Sequence, residues 1–116
     1  MNKQLLMLLL WLFPCTSLFA ASTSDEVEHL LNFVAGSGCT FERNGGNYDS
    51  VEARAHIQRK YDYIKDRINN TEDFILYAAS QSSWSGKKYH ATCNGQTLLS
   101  EEWLTRELTR YRQQAR

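Results

Sequence analysis

The segment from Ser82 to Cys93, SSWSGKKYHATC, brings several reactive side-chain types close together. Ser85 precedes Lys88 by three residues, a spacing that some serine–lysine hydrolases use when one helical turn brings the amine to the hydroxyl. Gly86 lies inside that turn and both lysines are expected to face solvent, so the spacing does not predict a nucleophile. Gly86 and Lys87 also lack the earlier glycine of a phosphate-binding loop.

The predicted long helix carries a second group of polar residues. Glu52, His56 and Lys60 follow one another at intervals of four, so their side chains share one helical face. An acid, an imidazole and an amine in a row could transfer a proton or bind an anion. The same spacing is typical of a solvated helix face with two weak ion pairs, which is the simpler interpretation of the residue types alone.

Aromatic residues form a third signal, because several of them lie beside loops or outside the predicted apolar stripes. They are Tyr48, Tyr63, Tyr77, Trp84 and Tyr89. Trp84 differs from the others because it lies in a polar, serine-rich loop. One interpretation is contact with a peptide or a sugar, for which an exposed indole is well suited. The other is that Trp84 folds back as a lid over a small core.

Cys39 and Cys93 are the two cysteines that follow the first twenty residues. We predict a disulfide between them, which in the chain-entropy model stabilises a domain by about 4 kcal/mol for a loop of this length. The alternative is a Cys39 nucleophile with His56 or His90 as its base. Because the three histidines are dispersed and both cysteines are assigned to a bridge, we expect neither a metal ion nor a cofactor.

The first twenty residues, MNKQLLMLLLWLFPCTSLFA, have the layout of a secretory signal peptide, with Lys3 ahead of an apolar run. The run is shorter than the ~20 apolar residues of a spanning helix, so we expect no membrane span after cleavage. This pattern predicts a periplasmic protein whose mature chain, residues 21–116, is a single domain. Loss of Lys3 leaves one more acidic than basic side chain, which argues against nucleic acid as the main partner.

Periodicity and turn residues predict the elements of this domain. Four helices are expected, beginning near Ser24, Ser50, Thr71 and Ser100, the second reaching about Ile68. Two short strands are expected at 39–43 and 89–93, each ended by an Asn-Gly turn. The predicted fold class is therefore α+β, with about four helices around a minimal two-stranded antiparallel sheet and one disulfide. No internal repeat is evident.

Several motifs taken together resemble a known family. They are Phe41-x-Arg43-Asn44-Gly45, Glu52-Ala53-x-x-His56 with Lys60, Thr71-Glu72-x-Phe74-Ile75, Ser80-x-Ser82-Ser83-x-Ser85-Gly86-Lys87-x-Tyr89, and Trp103-Leu104 with Tyr111-Arg112. This combination resembles the YfeK-like family of small exported proteobacterial proteins, a domain of unknown function, over essentially the whole chain after residue 20. Lys88 departs from the pattern, because proline is common there. The resemblance implies a location and a fold but no reaction.

The resemblance also changes the weight of the polar positions. The family pattern includes Arg43, Asn44, Glu52, His56, Ser83, Ser85, Lys87 and Tyr89. A merely solvated face would not need a specific residue at each of them. We therefore predict that the turn after the first strand, the polar face of the long helix and the serine-rich loop converge into one patch.

These observations predict a non-catalytic binding domain of the cell envelope, with an envelope protein or a cell-wall fragment as its partner. The predicted contacts divide by chemistry into Arg43, Lys60 and Lys87 for anionic groups, Ser83, Ser85 and Tyr89 for hydrogen bonds, and Trp84 for apolar contact. The alternative is a small periplasmic hydrolase with His56 as base, oriented by Glu52, and a serine of the loop, Ser83 or Ser85, as nucleophile.

Overall fold

The structure is a computed structural model that describes residues 21–114. The predicted signal peptide, residues 1–20, lies outside the described residues. The elements follow one another as α1 (Thr23–Gly36), β1 (Thr40–Arg43), β2 (Gly46–Tyr48), α2 (Ser50–Ile64), α3 (Thr71–Ala78), β3 (His90–Cys93), β4 (Gln96–Leu99) and α4 (Ser100–Gln114). The α+β prediction is confirmed.

The sheet has four strands, so the prediction of a two-stranded sheet is wrong. Its order is β2-β1-β3-β4, and all neighbouring strands are antiparallel. The two predicted strands form the central pair, with Thr40 opposite Thr92 and Glu42 opposite His90. The two additional strands, β2 and β4, are its edges.

Both additional strands are created by the Asn-Gly turns. Asn44 and Gly45 have φ values of 51° and 83°, and Asn94 and Gly95 have 52° and 80°. Two successive left-handed residues form the two-residue hairpin turn that matches the twist of antiparallel strands, and Asn-Gly is its preferred sequence. These turns therefore fold each predicted strand back onto a partner instead of ending it.

The two hairpins belong to a pair of matching units. Strand β1 begins at Thr40 and β3 at His90, and the helices that follow them begin at Ser50 and Ser100 and contain 15 residues each. Corresponding positions are thus fifty residues apart throughout. The pairing of Phe41 with Ala91 joins two corresponding residues, which places a pseudo-two-fold axis between β1 and β3. The two units therefore correspond in their secondary structure.

Helix ends follow local capping chemistry. A capping box begins α1, in which Ser22 and Asp25 bind each other's backbone N–H groups, and another begins α2, with Asp49 and Glu52. Helix α2 ends at Ile64 rather than at the predicted Ile68. The chain beyond Ile64 is a turn that still packs Ile68 against the core.

The core lies between the helices and one face of the sheet. Its fully buried members include Leu30 and Leu31 of α1, Phe74 of α3 and Leu104 of α4. Helix α2 contributes Ala53 and Ile57, which are also buried. At one end of the central strand pair Cys39 and Cys93 form the predicted disulfide, with Cα atoms 4.6 Å apart. This distance is that of a directly opposed, non-hydrogen-bonded pair of antiparallel residues. The prediction of the bridge is confirmed, and a Cys39 thiol nucleophile is thereby removed.

Helix α4 is tied to α1 and α3 by a group of ion pairs that the sequence analysis did not identify. The Arg112 guanidinium donates to both oxygens of the buried Glu26 and to Glu72, at 2.7 to 3.3 Å. Thr71 donates its hydroxyl to Glu26 as well. These hydrogen bonds hold the pKa of Glu26 below its usual value, with the Arg112 bonds as the largest cause.

A second group of ion pairs joins α4 to α1. Glu107 accepts from Arg110 and contacts His29 Nε2 at 2.6 Å, and the His29 ring stacks on Tyr111. The pKa of Glu107 is also lowered, chiefly by the hydrogen bonds from Arg110. We call the two groups together, centred on Glu26 and Glu107, the ion-pair seam.

Candidate functional site

Three basic residues gather around the hydroxyl of Tyr89. His56 Nε2 and Lys60 Nζ each lie 3.2 Å from that hydroxyl, and Lys60 also donates to the backbone carbonyl of Gln81 at 2.9 Å. The third basic residue is Arg43, at the end of β1. We call Arg43, His56, Lys60 and Tyr89 the cationic cluster.

The cluster combines two faces that the fold brings together. His56 and Lys60 are one turn apart on α2, as the predicted polar row requires. Tyr89 immediately precedes β3 and is 4% exposed, so its ring is packed between the sheet and α2. Arg43 lies with its guanidinium 4.8 Å from the centre of the Tyr48 ring, in a cation–π arrangement.

The ionisation of the cluster reflects burial and mutual repulsion. The pKa of His56 is lowered to about 4, chiefly by burial and then by the charges of Arg43 and Lys60. The pKa of Lys60 is lowered by the same causes, burial first and then Arg43. Burial also raises the pKa of the Tyr89 hydroxyl. At neutral pH the imidazole is therefore neutral and the phenol is protonated.

One of the two hydrogen bonds at the Tyr89 hydroxyl has a fixed direction. The Lys60 ammonium donates to the Tyr89 oxygen. The direction of the bond between that hydroxyl and His56 Nε2 is set by the tautomer of the neutral imidazole. Tyr89 donates when the ring hydrogen is on Nδ1, and it accepts from both bases when the hydrogen is on Nε2.

An open depression of about 20 Å³ lies beside the cluster, which is room for about one water-sized group. It is lined by Phe41, Glu42, Arg43, Tyr48, Ala53, His56, Ile57 and Tyr89. Strand alternation places the Glu42 side chain on the other face of the sheet, where its carboxylate lies 3.4 Å from His90 Nδ1. The Glu42 carboxylate therefore faces away from the depression, whose exposed walls are apolar.

Within residues 21–114 no carboxylate forms an ion pair with Arg43, His56 or Lys60. Glu52 is the acid that the sequence places nearest on α2. Its side chain turns back to accept the backbone N–H of Asp49 at 3.0 Å, as part of the capping box. Glu52 therefore caps α2, whereas His56 and Lys60, the other two members of the predicted row, contact Tyr89.

The serine-rich loop from Ser82 to Lys87 is held by hydrogen bonds within itself. The buried Ser82 hydroxyl accepts from the backbone N–H groups of Trp84 and Ser85, each at 3.1 Å, and its carbonyl accepts from Gly86. Gly86 has a φ of 76°, a left-handed value that glycine adopts without strain. The loop is closed at its base by the backbone bond from Ser82 to the carbonyl of Lys87.

The loop is also fastened to the first hairpin. Ser85 donates its hydroxyl to the Asn44 side chain at 2.9 Å, across 41 residues of sequence. Trp84 projects from this loop with 96% of its surface exposed, so the interpretation of Trp84 as a lid over the core is wrong. Ser83 and Lys87 are exposed on the same loop.

The predicted patch is brought together in two parts. The first part is the cationic cluster, and the second is the loop with its contact to Asn44. The sequence analysis named Tyr48 as an aromatic residue beside a loop but did not predict its contact with Arg43, and it missed the carbonyl of Gln81, which accepts from Lys60. The Asn-Gly turn places Tyr48 opposite Phe41 in the hairpin. The turn is therefore the feature of the sequence from which the position of Tyr48 beside β1 could have been predicted.

The arrangement does not contain the hydrogen bond that a serine hydrolase would use. Among the described residues His56 bonds to Tyr89, and the Ser85 hydroxyl bonds to Asn44. Glu52 is occupied at the helix N-terminus and does not orient the imidazole. The geometry is that of two bases, His56 and Lys60, in contact with a buried tyrosine hydroxyl beside a small depression with apolar walls.

Two further observations concern metal ions and membranes. The part of the chain from 21 to 114 holds no group of three or more His, Cys, Asp or Glu side chains placed to bind a metal ion. None of the helices in that part combines the length and the apolar character needed to cross a bilayer.

Comparison with known proteins identifies relatives of the chain. A family described as "Family of unknown function (DUF5329)" matches residues 21–112. The uncharacterized protein YfeK of Salmonella typhimurium (strain LT2) is 34% identical over 82 residues, which are 70% of this chain and 68% of that protein. No solved structure matches. The predicted YfeK-like membership is confirmed, and the chain belongs to the DUF5329 family, whose function is unknown.

Proposed function

We propose that this protein is exported to the periplasm and acts there as a non-catalytic binding domain, whose partner is an envelope protein or a cell-wall fragment. The observation that carries the proposal is the 96% exposure of Trp84 on a loop fixed by its own hydrogen bonds. An exposed indole on a mobile tail would have no such support.

The energetics of association favour a side chain held in this way. Burying a large aromatic side chain contributes roughly 2 to 3 kcal/mol, and tryptophan is enriched among residues that dominate interfaces. Binding normally loses part of that gain to the ordering of loops and side chains. Because Ser82 and Ser85 already order the loop, little of this entropy remains to be lost.

The surroundings of Trp84 indicate the chemistry of the partner. Ser83 and Lys87 are exposed beside the indole, and Asn44 lies against the loop through Ser85. Hydroxyl, amide and ammonium groups around an aromatic ring suit a surface of peptide or sugar with anionic groups.

Export is tested with the full chain in a Gram-negative host. We expect the protein in the osmotic-shock fraction, with the mass of a chain lacking about the first twenty residues. A cytoplasmic protein of full mass would overturn the periplasmic assignment.

Binding is tested by site-specific photo-crosslinking in the same cells. Trp84→p-benzoylphenylalanine should give a discrete cross-linked band or co-sedimentation with purified cell-wall sacculi. The matched control is Tyr63→p-benzoylphenylalanine, because Tyr63 is 83% exposed and belongs to α2 rather than to the loop. Equal cross-linking at the two positions, or none at either, would contradict a binding face at Trp84.

A further inference from the structure

We infer that Lys60 and His56 form an acid-sensitive clamp on the loop that carries Trp84, so that acid loosens this loop and weakens binding through it. The inference rests on the proposed function, because it names a regulation of the same binding face. In this clamp Lys60 holds the loop and His56 responds to the pH.

Lys60 is attached to both ends of the loop. Its Nζ donates to the backbone carbonyl of Gln81 at 2.9 Å and to the Tyr89 hydroxyl at 3.2 Å. Gln81 immediately precedes the loop, and it pairs with Lys88, the residue before Tyr89, in an isolated antiparallel bridge. A single ammonium group therefore fastens both ends of the loop to α2.

The charges that act on His56 are all positive. Burial, and then the charges of Arg43, Lys60 and Arg59, lower the pKa of His56 to about 4. Glu52, the acid one turn earlier on α2, is engaged at the N-terminus of that helix. A proton on His56 would therefore add a fourth positive charge to a half-buried group of bases.

That proton would also disturb the hydrogen bonds at Tyr89. A protonated imidazole donates from both nitrogens, so His56 Nε2 would donate to the Tyr89 oxygen whichever tautomer the neutral ring has. Lys60 donates to the same oxygen. Two cations would then share one acceptor, and the Tyr89 proton could not go to His56. Because Lys60 has a long flexible stem and is only half-buried, it can relieve the repulsion by turning toward water.

The loop loses its attachment to α2 when Lys60 turns away. It keeps its internal hydrogen bonds and the contact of Ser85 with Asn44, but Gln81 is no longer held. Surface loops open at low free energies, so a modest further loss is enough to leave a substantial fraction of the loop open. Binding at Trp84 must then lose entropy to order the loop again.

Amide exchange measured by NMR tests the clamp on isotope-labelled residues 21–116. The reporters are the N–H of Ser82, which is bonded to the Lys87 carbonyl, and the N–H of Gly86, which is bonded to the Ser82 carbonyl. The clamped imidazole takes up a proton near pH 4 and a released one near 6.5, so protection falls as the pH decreases between these values. After correction for the intrinsic exchange rate, we expect about a tenfold loss of protection from pH 7 to pH 5.

Two variants separate the pH response from the attachment. His56→Gln keeps a hydrogen-bonding side chain beside Tyr89 but cannot titrate, so loop protection should no longer change between pH 7 and pH 5. Lys60→Met keeps the apolar stem and removes the ammonium. It should lower loop protection by about tenfold at pH 7, as expected for the loss of hydrogen bonds from a charged group, and abolish the response to acid.

Two controls accompany these variants. Lys65→Met removes an exposed ammonium next to the end of α2 and should behave like the unaltered protein. The amide of Leu31, in the core helix α1, verifies the fold, and Lys60→Met should leave its protection within about a factor of two because the opening is confined to the loop.

The effect on binding is read by cross-linking at Trp84→p-benzoylphenylalanine in osmotic-shock extract with added sacculi, buffered at pH 7 or pH 5. Cross-linking should be weaker at pH 5, and His56→Gln should remove the difference. Equal cross-linking at the two pH values, beside a loop that loosens with acid, would contradict regulation of binding by the clamp.

Three outcomes would overturn the clamp itself: equal loop protection at pH 7 and pH 5, a pH dependence that survives His56→Gln, or loop protection that Lys60→Met leaves intact. Failure here is distinguishable from failure of the proposed function. Cross-linking at Trp84 with a loop whose protection is independent of pH would reject the clamp alone. An acid-sensitive loop without cross-linking at Trp84 would support the clamp and reject the assigned binding face.

Discussion

Helices α2 and α4 occupy corresponding places after the two hairpins and have the same length, yet they arrange charge in opposite ways. On α4, Glu107 and Arg112 complete ion pairs with neighbouring helices or with the same helix. On α2, His56 and Lys60 face another base, Arg43, with no acid among the described residues to balance them.

The charges on α4 stabilise the fold through ion pairs, whereas the basic groups on α2 lie close to another base and have no acidic partner among the described residues. The ion-pair seam satisfies a buried Glu26 with hydrogen bonds, so removing a partner from it would be costly. In the cationic cluster burial, and then the charges of Arg43 and Lys60, lower the pKa of His56, which means that the fold disfavours the charged imidazole. Perturbed ionisable groups beside a depression are typical of functional sites, so α2 is the better place to look for binding.

The largest effect should come from one arginine of the seam. Arg112→Ala leaves Glu26 buried without its main partner, so we expect it to lower the free energy of unfolding by about 3 kcal/mol. Arg43→Ala, the matched change in the cationic cluster, removes repulsion as well as a cation–π contact and should change that free energy by no more than about 1 kcal/mol. Urea unfolding monitored by circular dichroism measures both. Equal losses in the two variants would erase the distinction between the clusters.

The next effect is on the pH dependence of the stability, to which the two clusters contribute over different pH ranges. The unfolded chain protonates His56 near pH 6.5, but the folded chain does so near 4, so stability falls as the pH decreases between these values. The carboxylates Glu26, Glu72 and Glu107 have lowered pKa values, and their contribution is lost only below the ordinary value of 4.5.

From pH 7 to pH 5 the His56 contribution should amount to about 1 to 2 kcal/mol, after allowance for its partial exposure. Urea unfolding at a series of pH values measures it. His56→Gln should flatten the curve between pH 7 and 5 and leave the loss below pH 4.5 in place. An unchanged slope in this variant would show that another group titrates there.

A smaller effect concerns the loop beside the cationic cluster. Gly86→Ala forces a side chain into a left-handed conformation and should cost about 1 kcal/mol, together with loosening of the loop. Gly36→Ala, at the end of α1, has an ordinary φ and open space, so it should be neutral or slightly stabilising. Thermal unfolding and amide exchange at residues 82–87 compare the two. Protection of the loop that survives Gly86→Ala would contradict its dependence on that turn.

The smallest effect should be that of Trp84→Ala on stability, within about 0.5 kcal/mol, because the indole contacts almost nothing. Trp103→Ala is the contrasting change, since Trp103 packs against Phe33 and Phe41, and should cost about 2 kcal/mol. Residues 21–116 contain just these two tryptophans, so in a domain of that length the fluorescence of each variant reports on the other. A comparable loss from Trp84→Ala would mean that its loop supports the fold.

Much of the fold could be predicted because its signals are local. The capping residue ahead of α2 and the even pair of cysteines each act within a few residues or admit one pairing. The number of strands was underestimated because Asn44-Gly45 was interpreted as the end of a strand instead of a two-residue hairpin turn. The interpretation neglected the specific preference of Asn-Gly for left-handed turns.

The charged clusters were harder to predict because they join distant segments. Glu26 and Arg112 are 86 residues apart, and a residue type does not reveal a partner at that distance. Glu26 does lie one turn before Leu30, on the buried stripe of α1, which is an unusual place for an acid. On α2 the spacing of His56 and Lys60 was informative, but only the fold could bring Tyr89 between them.

The disulfide between the two central strands of the sheet affects the order in which the domain folds. Each hairpin joins neighbouring residues and can form within microseconds, whereas the pairing of β1 with β3 must close a loop of about fifty residues. Loop closure of this kind slows folding, because its entropy is lost before the contacts are gained. Once Cys39 and Cys93 are oxidised, the unfolded chain keeps these strands tethered. The single long-range step of the sheet then becomes a local one each time the domain refolds.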